Sequence, residues 1–208
     1  MAIAIIDYGM GNLRSVEKAL QHVGAESAFI TSDPDAIESA EKAVLPGDGA
    51  FDATVLSLRE SGIDAVVKRF AQSGRPLLGI CIGMQAFLTS SDEGEPGVIG
   101  LDLIPGMVKR FPEKDQNGEK LPVPQIGWNK LRAVKNSVLL AGLPSESWVY
   151  CLHSYYCKPS DASVTVGEID YGLEYCAVAE KANIYATQFH PEKSGEAGLA
   201  MLRNFVRL

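Results

Sequence analysis

The stretch Pro76-Leu-Leu-Gly-Ile-Cys-Ile-Gly-Met-Gln85 decides how this sequence is expected to fold. Residues 76–80 form an apolar run with the length of a buried strand, and residues 82–89 have the composition of the start of a helix. Cys81 stands at the join, with a glycine two residues away on each side. Glycine relieves the crowding where a strand turns sharply into a helix. The stretch therefore predicts a nucleophile elbow with a thiol in place of a hydroxyl.

The position of Cys81 favours reactivity. A helix that begins beside it offers free N–H groups and the positive end of a dipole, which stabilise a thiolate and a developing oxyanion. The structural alternative is a free cysteine packed in a strand, because free cysteines are often buried.

A second stretch, Tyr185-Ala-Thr-Gln-Phe-His-Pro-Glu-Lys193, supplies a partner for this thiol. Its alternation predicts a strand that ends at His190. In an extended backbone, residues two apart point to the same side, so Glu192 is expected to orient His190 while His190 faces the nucleophile. A purely structural histidine is the alternative, but the chain has only three histidines. Cys81, His190 and Glu192 thus form a candidate nucleophile, base and orienting group.

The order of predicted elements indicates an α/β fold. Over the first ninety residues strands and helices alternate, which is typical of a parallel sheet with helices on both faces. Strands then follow one another, which predicts an antiparallel extension of the sheet, and an amphipathic helix at 195–207 closes the chain. These later strands are expected at 101–111 (broken at Pro105-Gly106), 130–134, 148–157, 163–169, 176–180 and 184–189. With no repeat or linker, residues 1–208 are expected to form a single domain.

Composition narrows the class of protein. The net charge of −7 argues against general nucleic-acid binding, which needs a basic face. No apolar stretch approaches the ~20 residues of a membrane span, and no signal-peptide pattern is evident at the N-terminus. A cytoplasmic location, away from the membrane, is the resulting expectation.

The remaining cysteines raise the question of a metal site. The four cysteines show no dense spacing, so a disulfide framework is not expected. Cys151, His153 and Cys157 could be read as a zinc cluster, but the segment around them alternates like a strand and contains no CxxC motif. We therefore expect a strand there and no metal.

These motifs together resemble a known family. Gly79-Ile-Cys-Ile-Gly-Met-Gln85 with Gln188-Phe-His-Pro-Glu192 resembles the class I, triad-type glutamine amidotransferases. Three further stretches resemble the glutaminase subunits of imidazole glycerol phosphate synthase: Asp7-Tyr-Gly-Met-Gly-Asn-Leu13, Leu45-Pro-Gly-Asp-Gly-Ala-Phe51 and Gly127-Trp-Asn129. The resemblance implies a flavodoxin-like class I amidotransferase fold. It also implies hydrolysis of L-glutamine to glutamate and ammonia, with no metal or organic cofactor.

The resemblance also implies roles for individual residues. Cys81 would form a glutamyl thioester, His190 would move the protons, and Glu192 would hold the imidazole. Oxyanion donors would come from the backbone of Ile82, Asp48 and Gly49, and the substrate would be bound by Gly47, Gln85, Ser154 and Tyr155.

The implied partner is a (β/α)₈ cyclase subunit that receives ammonia and makes imidazole glycerol phosphate in histidine biosynthesis. Asn12, Trp128 and Lys193 match positions at that interface. Their structural alternatives are a helix cap, core packing and a solvated charge.

Two residues depart from the family pattern, and other functions stay open. Asp48 stands where a small apolar residue is commonest in the oxyanion loop, and Gln125 stands where a histidine usually precedes Gly127-Trp-Asn129.

The nearest alternative function is that of a paralogous amidotransferase subunit that feeds ammonia to a sugar-modifying synthase. Cysteine hydrolases that share the elbow, and an inactive binding module, are the more distant alternatives.

Overall fold

The computed structural model describes residues 2–95 and 97–208. Its strands are β1 (Ile3–Ile6), β2 (Ala28–Thr31), β3 (Lys42–Gly47), β4 (Leu77–Cys81), β5 (Ser90–Ser91), β6 (Gly106–Arg110), β7 (Gln125–Ala133), β8 (Glu146–His153), β9 (Tyr155–Pro159), β10 (Thr165–Asp170), β11 (Glu174–Lys181) and β12 (Ile184–Thr187). Its helices are α1 (Leu13–His22), α2 (Pro34–Ser39), α3 (Phe51–Glu60), α4 (Ile63–Gln72), α5 (Ile82–Ala86) and α6 (Gly195–Arg207), with 3₁₀ turns at Ala162–Val164 and Pro191–Lys193. Within these residues, no helix has the length and apolar character needed to cross a membrane.

The four N-terminal strands and β12, from near the C-terminus, build a parallel sheet in the order β2-β1-β3-β4-β12. Successive side chains of β1 pack on opposite faces: Ile3 and Ile5 join the cluster beside α1 and α6, while Ala4 and Ile6 join the cluster beside α2 to α5. Burial on both faces explains why these strands are continuously apolar.

The sheet continues in antiparallel fashion through β11, β10, β7 and β8, and a branch of β9, β6 and β5 leaves it at β11. The expected α/β fold, a mostly parallel sheet with flanking helices and an antiparallel extension, is therefore confirmed. The last strand in sequence, β12, lies at the seam between the two halves, because it pairs in parallel with β4 and antiparallel with β11.

Two helix starts follow their local sequence signals. Asn12 caps α1, and its Oδ1 accepts a hydrogen bond from the Ser15 amide at 3.3 Å. Asp33 caps α2 and is followed by Pro34 in the first turn. Both caps follow from residue type, since Asn and Asp satisfy amides that have no partner within the helix.

The expected strand 148–157 is in fact two strands, β8 and β9, separated at Ser154. The break allows different pairings on either side: β8 pairs with β7, whereas β9 pairs with β6 and β11. The Ser154 carbonyl accepts from the Phe111 amide at 3.1 Å instead of continuing a ladder. This kink brings residues 153–155 to the sheet's carboxyl edge, beside Cys81.

The helix after Cys81 is shorter than expected and ends at Ala86. The segment 101–104 binds to its end, because the Leu101 amide donates to the Ala86 carbonyl at 2.7 Å and the Ile104 amide to the Phe87 carbonyl at 2.9 Å. The same contacts hold 101–104 outside any strand, so of the expected strand 101–111 only β6 forms.

Candidate active site

Cys81 ends β4 and is the N-terminal cap of α5. Its φ of 55° and ψ of −111° define a backbone conformation that residues other than glycine rarely adopt. A Cβ on Gly83 would lie 1.9 Å from the Leu45 carbonyl oxygen, and one on Gly79 would lie 2.6 Å from the Phe87 ring. Only glycine fits at either position. The predicted elbow is therefore present, and close approach of backbones is its physical cause.

The topology of the sheet brings His190 to this elbow. β12 lies beside β4 in parallel register, with Thr187 opposite Ile80, so both strands end at the same edge. His190 follows β12 and lies close enough to Cys81 for that thiol to raise its pKa. Its Nδ1 is 2.8 Å from Glu192 Oε1, and the two side chains are only 4% and 1% exposed.

Glu192 reaches His190 by a different geometry from the one expected. Residues Pro191–Lys193 form a 3₁₀ turn, with His190 as its N-terminal cap, instead of extended backbone. The Lys193 amide donates to the His190 carbonyl at 3.0 Å, and Ser194 Oγ donates to the same carbonyl at 2.6 Å. The turn, rather than strand alternation, places the carboxylate on the imidazole.

Opposing effects set the pKa of His190. Burial lowers it, but the interactions with Cys81 and Glu192 outweigh burial and raise the pKa to about 10. An imidazole with this pKa holds a proton at neutral pH. The arrangement favours a protonated His190 imidazole beside Cys81.

A cavity of about 200 Å³ opens in front of Cys81. Seven of the residues predicted to act at the site line it, together with four others. The lining residues are Asp48, Gly49, Cys81, Ile82, Gln85, Ser154 and Tyr155, joined by Glu93, Pro124, Leu152 and His153. His190 and Glu192 do not line this cavity.

Comparison with known proteins identifies the family. The model for glutamine amidotransferase class-I matches residues 4–208. The chain belongs to this family. A protein from Methanothermobacter thermautotrophicus named imidazole glycerol phosphate synthase subunit HisH is 51% identical over 206 residues, 99% of this chain and 98% of that relative. A subunit of the same name from Geobacter sulfurreducens is 50% identical over 98% of this chain and 97% of that relative.

Structural comparison agrees on the fold. A crystal structure of a glutamine amidotransferase aligns with a TM-score of 0.76 at 18% identity, over 100% of this chain and 98% of that one. The class I amidotransferase fold is thus shown for this chain.

The loop after β3 approaches the elbow closely in this amidotransferase. Gly47 lies directly opposite Cys81 in the sheet register. A Cβ on Gly47 would lie 2.8 Å from Tyr8 Oη and 2.9 Å from the Gly83 amide nitrogen, so a larger residue would push the loop away. The structure therefore places Gly47 behind the cavity wall, adjoining Asp48.

Three residues whose backbone amides could serve as donors line this cavity. Within residues 2–95 and 97–208, the amides of Asp48 and Gly49 make no hydrogen bond, and that of Ile82 is the first in its helix. Gly49 has φ of +98° and is exposed, whereas the Asp48 side chain is half-buried. These amides are the sort of donors that an oxyanion requires.

Gln85 lines the cavity and carries an unpaired acceptor. Its side chain is 1% exposed, and its Nε2 donates to the Tyr155 carbonyl and to Gln188 Oε1, both at 3.3 Å. Gln85 Oε1 is buried and has no partner among the described residues. A ligand with an N–H group would satisfy it.

Glu93 is a cavity residue that sequence reasoning missed. Its Oε2 accepts from the Phe51 amide at 2.9 Å, and burial raises the pKa of its carboxyl group. It follows the short strand β5, and nothing in the spacing of the motifs distinguishes it from a solvated carboxylate. Its position follows from the non-local packing of residues 90–95 against the start of α3.

The structure separates the residues that suggested a zinc cluster. Cys151 and Cys157 pack in hydrophobic clusters on opposite faces of the sheet. Cys151 Sγ lies 3.9 Å from Tyr175 Oη, and Cys157 Sγ donates to Gln188 Oε1 at 3.2 Å. Burial raises the pKa of Cys151 to about 12, and it also raises the pKa of Cys157 well above its ordinary value. Both thiols are therefore protonated parts of the core.

The three residues expected at a partner interface lie outside the cavity. Trp128 is 53% exposed, which excludes the alternative of core packing. Asn12 is exposed and caps α1, and Lys193 is half-buried in the turn after His190. α1 contacts that turn, and the Trp128 ring lies next to Gly195, so the three belong to one side of the molecule.

Proposed function

We propose that this chain is the glutaminase subunit of an imidazole glycerol phosphate synthase. It hydrolyses L-glutamine to glutamate and ammonia and passes the ammonia to a cyclase subunit. The observation that carries the proposal is the buried set of Cys81, His190 and Glu192 at an elbow that opens into a cavity of about 200 Å³. About 50% identity to HisH subunits over nearly the whole chain supports this choice among amidotransferases.

In the first step, Cys81 Sγ attacks the carboxamide carbon of glutamine while its proton resides on His190. The carbonyl π electrons move to oxygen, and the resulting oxyanion is stabilised by the Ile82 amide together with that of Asp48 or Gly49. Glu192 accepts from the imidazole Nδ1–H and holds its ring in place.

In the second step, His190 donates its proton to the departing nitrogen, the C–N bond breaks, and ammonia leaves behind a glutamyl thioester on Cys81. His190 then removes a proton from water, whose oxygen attacks the thioester. Collapse of this intermediate releases glutamate and returns the thiolate beside the imidazolium. The balance is one glutamine and one water to one glutamate and one ammonia.

The cavity also offers groups for the amino-acid end of glutamine. We assign Gln85 Oε1 and the Glu93 carboxylate to the α-ammonium, because the amide oxygen lacks a partner and the carboxylate lines the same cavity. Ser154 and Tyr155 form the opposite wall, and Gly47 lets the oxyanion loop close over the substrate.

An exposed apolar surface beside the cavity supports docking of a partner subunit. Ile126, Trp128, Trp148 and Leu152 are 61%, 53%, 54% and 40% exposed on the paired strands β7 and β8. Exposed apolar side chains that are contiguous on a protein surface mark interaction sites. Leu152 also lines the cavity, so a partner on this surface would lie next to the source of ammonia.

We propose a (β/α)₈ cyclase as that partner, in a heterodimer that channels ammonia for histidine biosynthesis. In that proposal the cyclase forms imidazole glycerol phosphate and releases aminoimidazole carboxamide ribotide. Asn12, Trp128 and Lys193 contribute to the interface. A cytoplasmic location is part of the proposal, and four free, buried cysteines suit a reducing compartment.

Steady-state glutamate release tests the proposal with the chain alone, with a cyclase subunit, and with that subunit and its nucleotide ligand. We expect slow turnover by the chain alone and an increase of about 10²–10³ in kcat when the liganded partner positions one further oxyanion donor. A fully active isolated chain, or activation confined to KM, would contradict control through the oxyanion loop. Activation by a sugar-modifying synthase instead would favour the paralogous function.

A further inference from the structure

A chain of buried polar side chains begins at His153, which lines the cavity, and leads away from it. His153 Nδ1 is 2.8 Å from the Tyr155 carbonyl, and His153 Nε2 is 3.4 Å from Tyr175 Oη, which is 3.0 Å from the side-chain amide of Gln125. We infer that His153 is a positioning residue for the substrate amine: it holds the Tyr155 carbonyl, which in turn orients Gln85. The inference rests on the proposed glutaminase function.

The direction of each hydrogen bond follows from the chemistry of its partners. The Tyr155 carbonyl only accepts, so His153 Nδ1 carries the proton. Burial lowers the pKa of His153 to about 4, which leaves a single proton on the ring at neutral pH. His153 Nε2 is therefore an acceptor, and the Tyr175 hydroxyl donates to it.

Gln125 then acts as the first donor. Because the single proton of Tyr175 is committed to His153, the amide of Gln125 must present its NH₂ group to the Tyr175 oxygen. In the orientation that the structure gives, Tyr175 Oη donates to Gln125 Oε1 at 3.0 Å, and Gln125 Nε2 is buried with no partner among the described residues. An unpaired buried donor costs about 1–3 kcal/mol. Rotating the amide by 180° exchanges its nitrogen and oxygen and gives the donor its partner.

Packing holds the His153 ring in this orientation. It stacks on Phe111 with centroids 5.6 Å apart and meets Tyr175 edge-on at 5.8 Å. The side chain is 7% exposed, so neither neighbour is readily replaced by water. The ring is thus fixed between two aromatic groups, with its Nδ1–H directed at the Tyr155 carbonyl.

At the other end, the Tyr155 carbonyl also accepts from Gln85 Nε2 at 3.3 Å. The second N–H of Gln85 donates to Gln188 Oε1, so two acceptors fix the amide plane and leave Oε1 for the cavity. If His153 releases the carbonyl, Gln85 loses one of these two constraints. The amino-acid end of glutamine binds alike in the ground and transition states, so the loss raises KM and leaves kcat unchanged.

A matched pair of variants at His153 tests this inference in the complex with the cyclase subunit. His153→Asn retains an N–H donor near the place of Nδ1, whereas His153→Leu removes it. We expect His153→Leu to raise KM for glutamine about 5- to 10-fold, since one hydrogen bond is lost, and His153→Asn to stay within about 2-fold of wild type.

A second pair of variants, at Gln125 at the far end of the hydrogen-bonded side chains, still tests the inference if His153→Leu does not fold. Gln125→Met removes the donor, and Gln125→His offers a ring N–H. We expect Gln125→Met to raise KM about 2- to 3-fold, since only the orientation of Tyr175 is disturbed, with kcat unchanged, and Gln125→His to restore the wild-type KM.

A merely structural role predicts a different result, because loss of folded enzyme lowers the apparent kcat and the melting temperature at constant KM. That outcome, or equal KM in both members of each pair, would overturn the inference. An absence of glutamine turnover in the wild-type complex would instead contradict the proposed function.

Discussion

The elbow at Cys81 and the loop 46–50 face each other across the cavity, but they are built in opposite ways. At the elbow, a Cβ on Gly83 would lie 1.9 Å from a carbonyl oxygen, so the two backbones are in direct contact. In the loop, Gly49 is exposed at φ of +98°, and the Asp48 and Gly49 amides make no hydrogen bonds within the described part of the chain.

This difference separates two requirements of the chemistry. The nucleophile has to be held in a strained conformation, and the packing of β3 against α5 supplies that hold. The oxyanion donors have to be correctly placed only when ammonia has a destination. A loop with unbonded amides and two glycines can change the orientation of a peptide plane at small cost. We therefore expect turnover to be controlled through the loop rather than through the triad.

The largest effect is expected when the nucleophile is removed from the rigid elbow. Cys81→Ser should lower glutamine turnover by at least about 10³-fold, because the other groups cannot replace a thiolate. Product formation from added ammonia by the complex should persist, since that step belongs to the partner. Cys176→Ala is the matched control, as this buried thiol contacts only the core, and its glutaminase activity should stay near wild type. Loss of ammonia-dependent activity in a folded Cys81→Ser complex would count against this division.

The substitution Gly83→Ala tests the close backbone contact at the elbow directly. We expect the free energy of unfolding to fall by about 3 kcal/mol, since a methyl group has to displace the Leu45 backbone. Urea unfolding measures the change. Gly24→Ala is the control, because its φ is +105° and nothing lies within 4 Å, so it reports backbone strain alone. Equal losses in both variants would mean that close contact is not what requires glycine at the elbow.

A substitution in the loop should change activity more than stability. In Gly49→Ala, the added Cβ meets only the flexible end of Met10, at 2.9 Å, while a φ of +98° is strained for alanine. We expect about 1–2 kcal/mol of lost stability and a decrease of about 10² in kcat, because the peptide plane no longer rotates freely. Comparing urea unfolding with steady-state kinetics separates the two effects. A variant with wild-type kcat would show that loop rotation is not needed.

The smallest expected effect concerns pH. The pKa of His190 is raised from 6.5 to about 10, so the stability that this shift contributes is fully present below about pH 6.5 and is lost as the pH rises through about 10. Cys81 and Glu192 are the partners that raise the pKa, and His153 is a nearby neutral group. Unfolding of wild type and His190→Gln at pH 6, 8 and 10 should show the two free energies converging with pH. A constant difference would contradict a raised pKa.

Sequence patterns that span only a few residues predicted much of the fold and of the candidate site. The glycines around Cys81, the caps Asn12 and Asp33, and the change from alternating to consecutive strands each report a local physical requirement. The pairing of His190 with Glu192 was also predicted, although a 3₁₀ turn produces it rather than an extended strand.

Features that depend on distant contacts were not predictable. The break at Ser154 is set by the different partners of β8 and β9. Glu93 reaches the cavity because residues 90–95 pack on α3, and the links from Gln125 to Tyr175 and His153 join three separate strands. None of these residues differs in its local pattern from an ordinary polar residue, and only the assembled sheet gives it a neighbour.

The position of β12 has a consequence for the order in which this protein becomes functional. β12 follows the other described strands in sequence, yet it pairs between β4 and β11 in the middle of the sheet. During synthesis, β4 therefore presents an open edge until residues 184–187 leave the ribosome, which exposes the nascent chain to wrong pairing. The insertion that closes this gap also delivers His190 to Cys81. A chain still being translated thus has its nucleophile but no base, and it gains both a closed sheet and the means to consume glutamine in one late event.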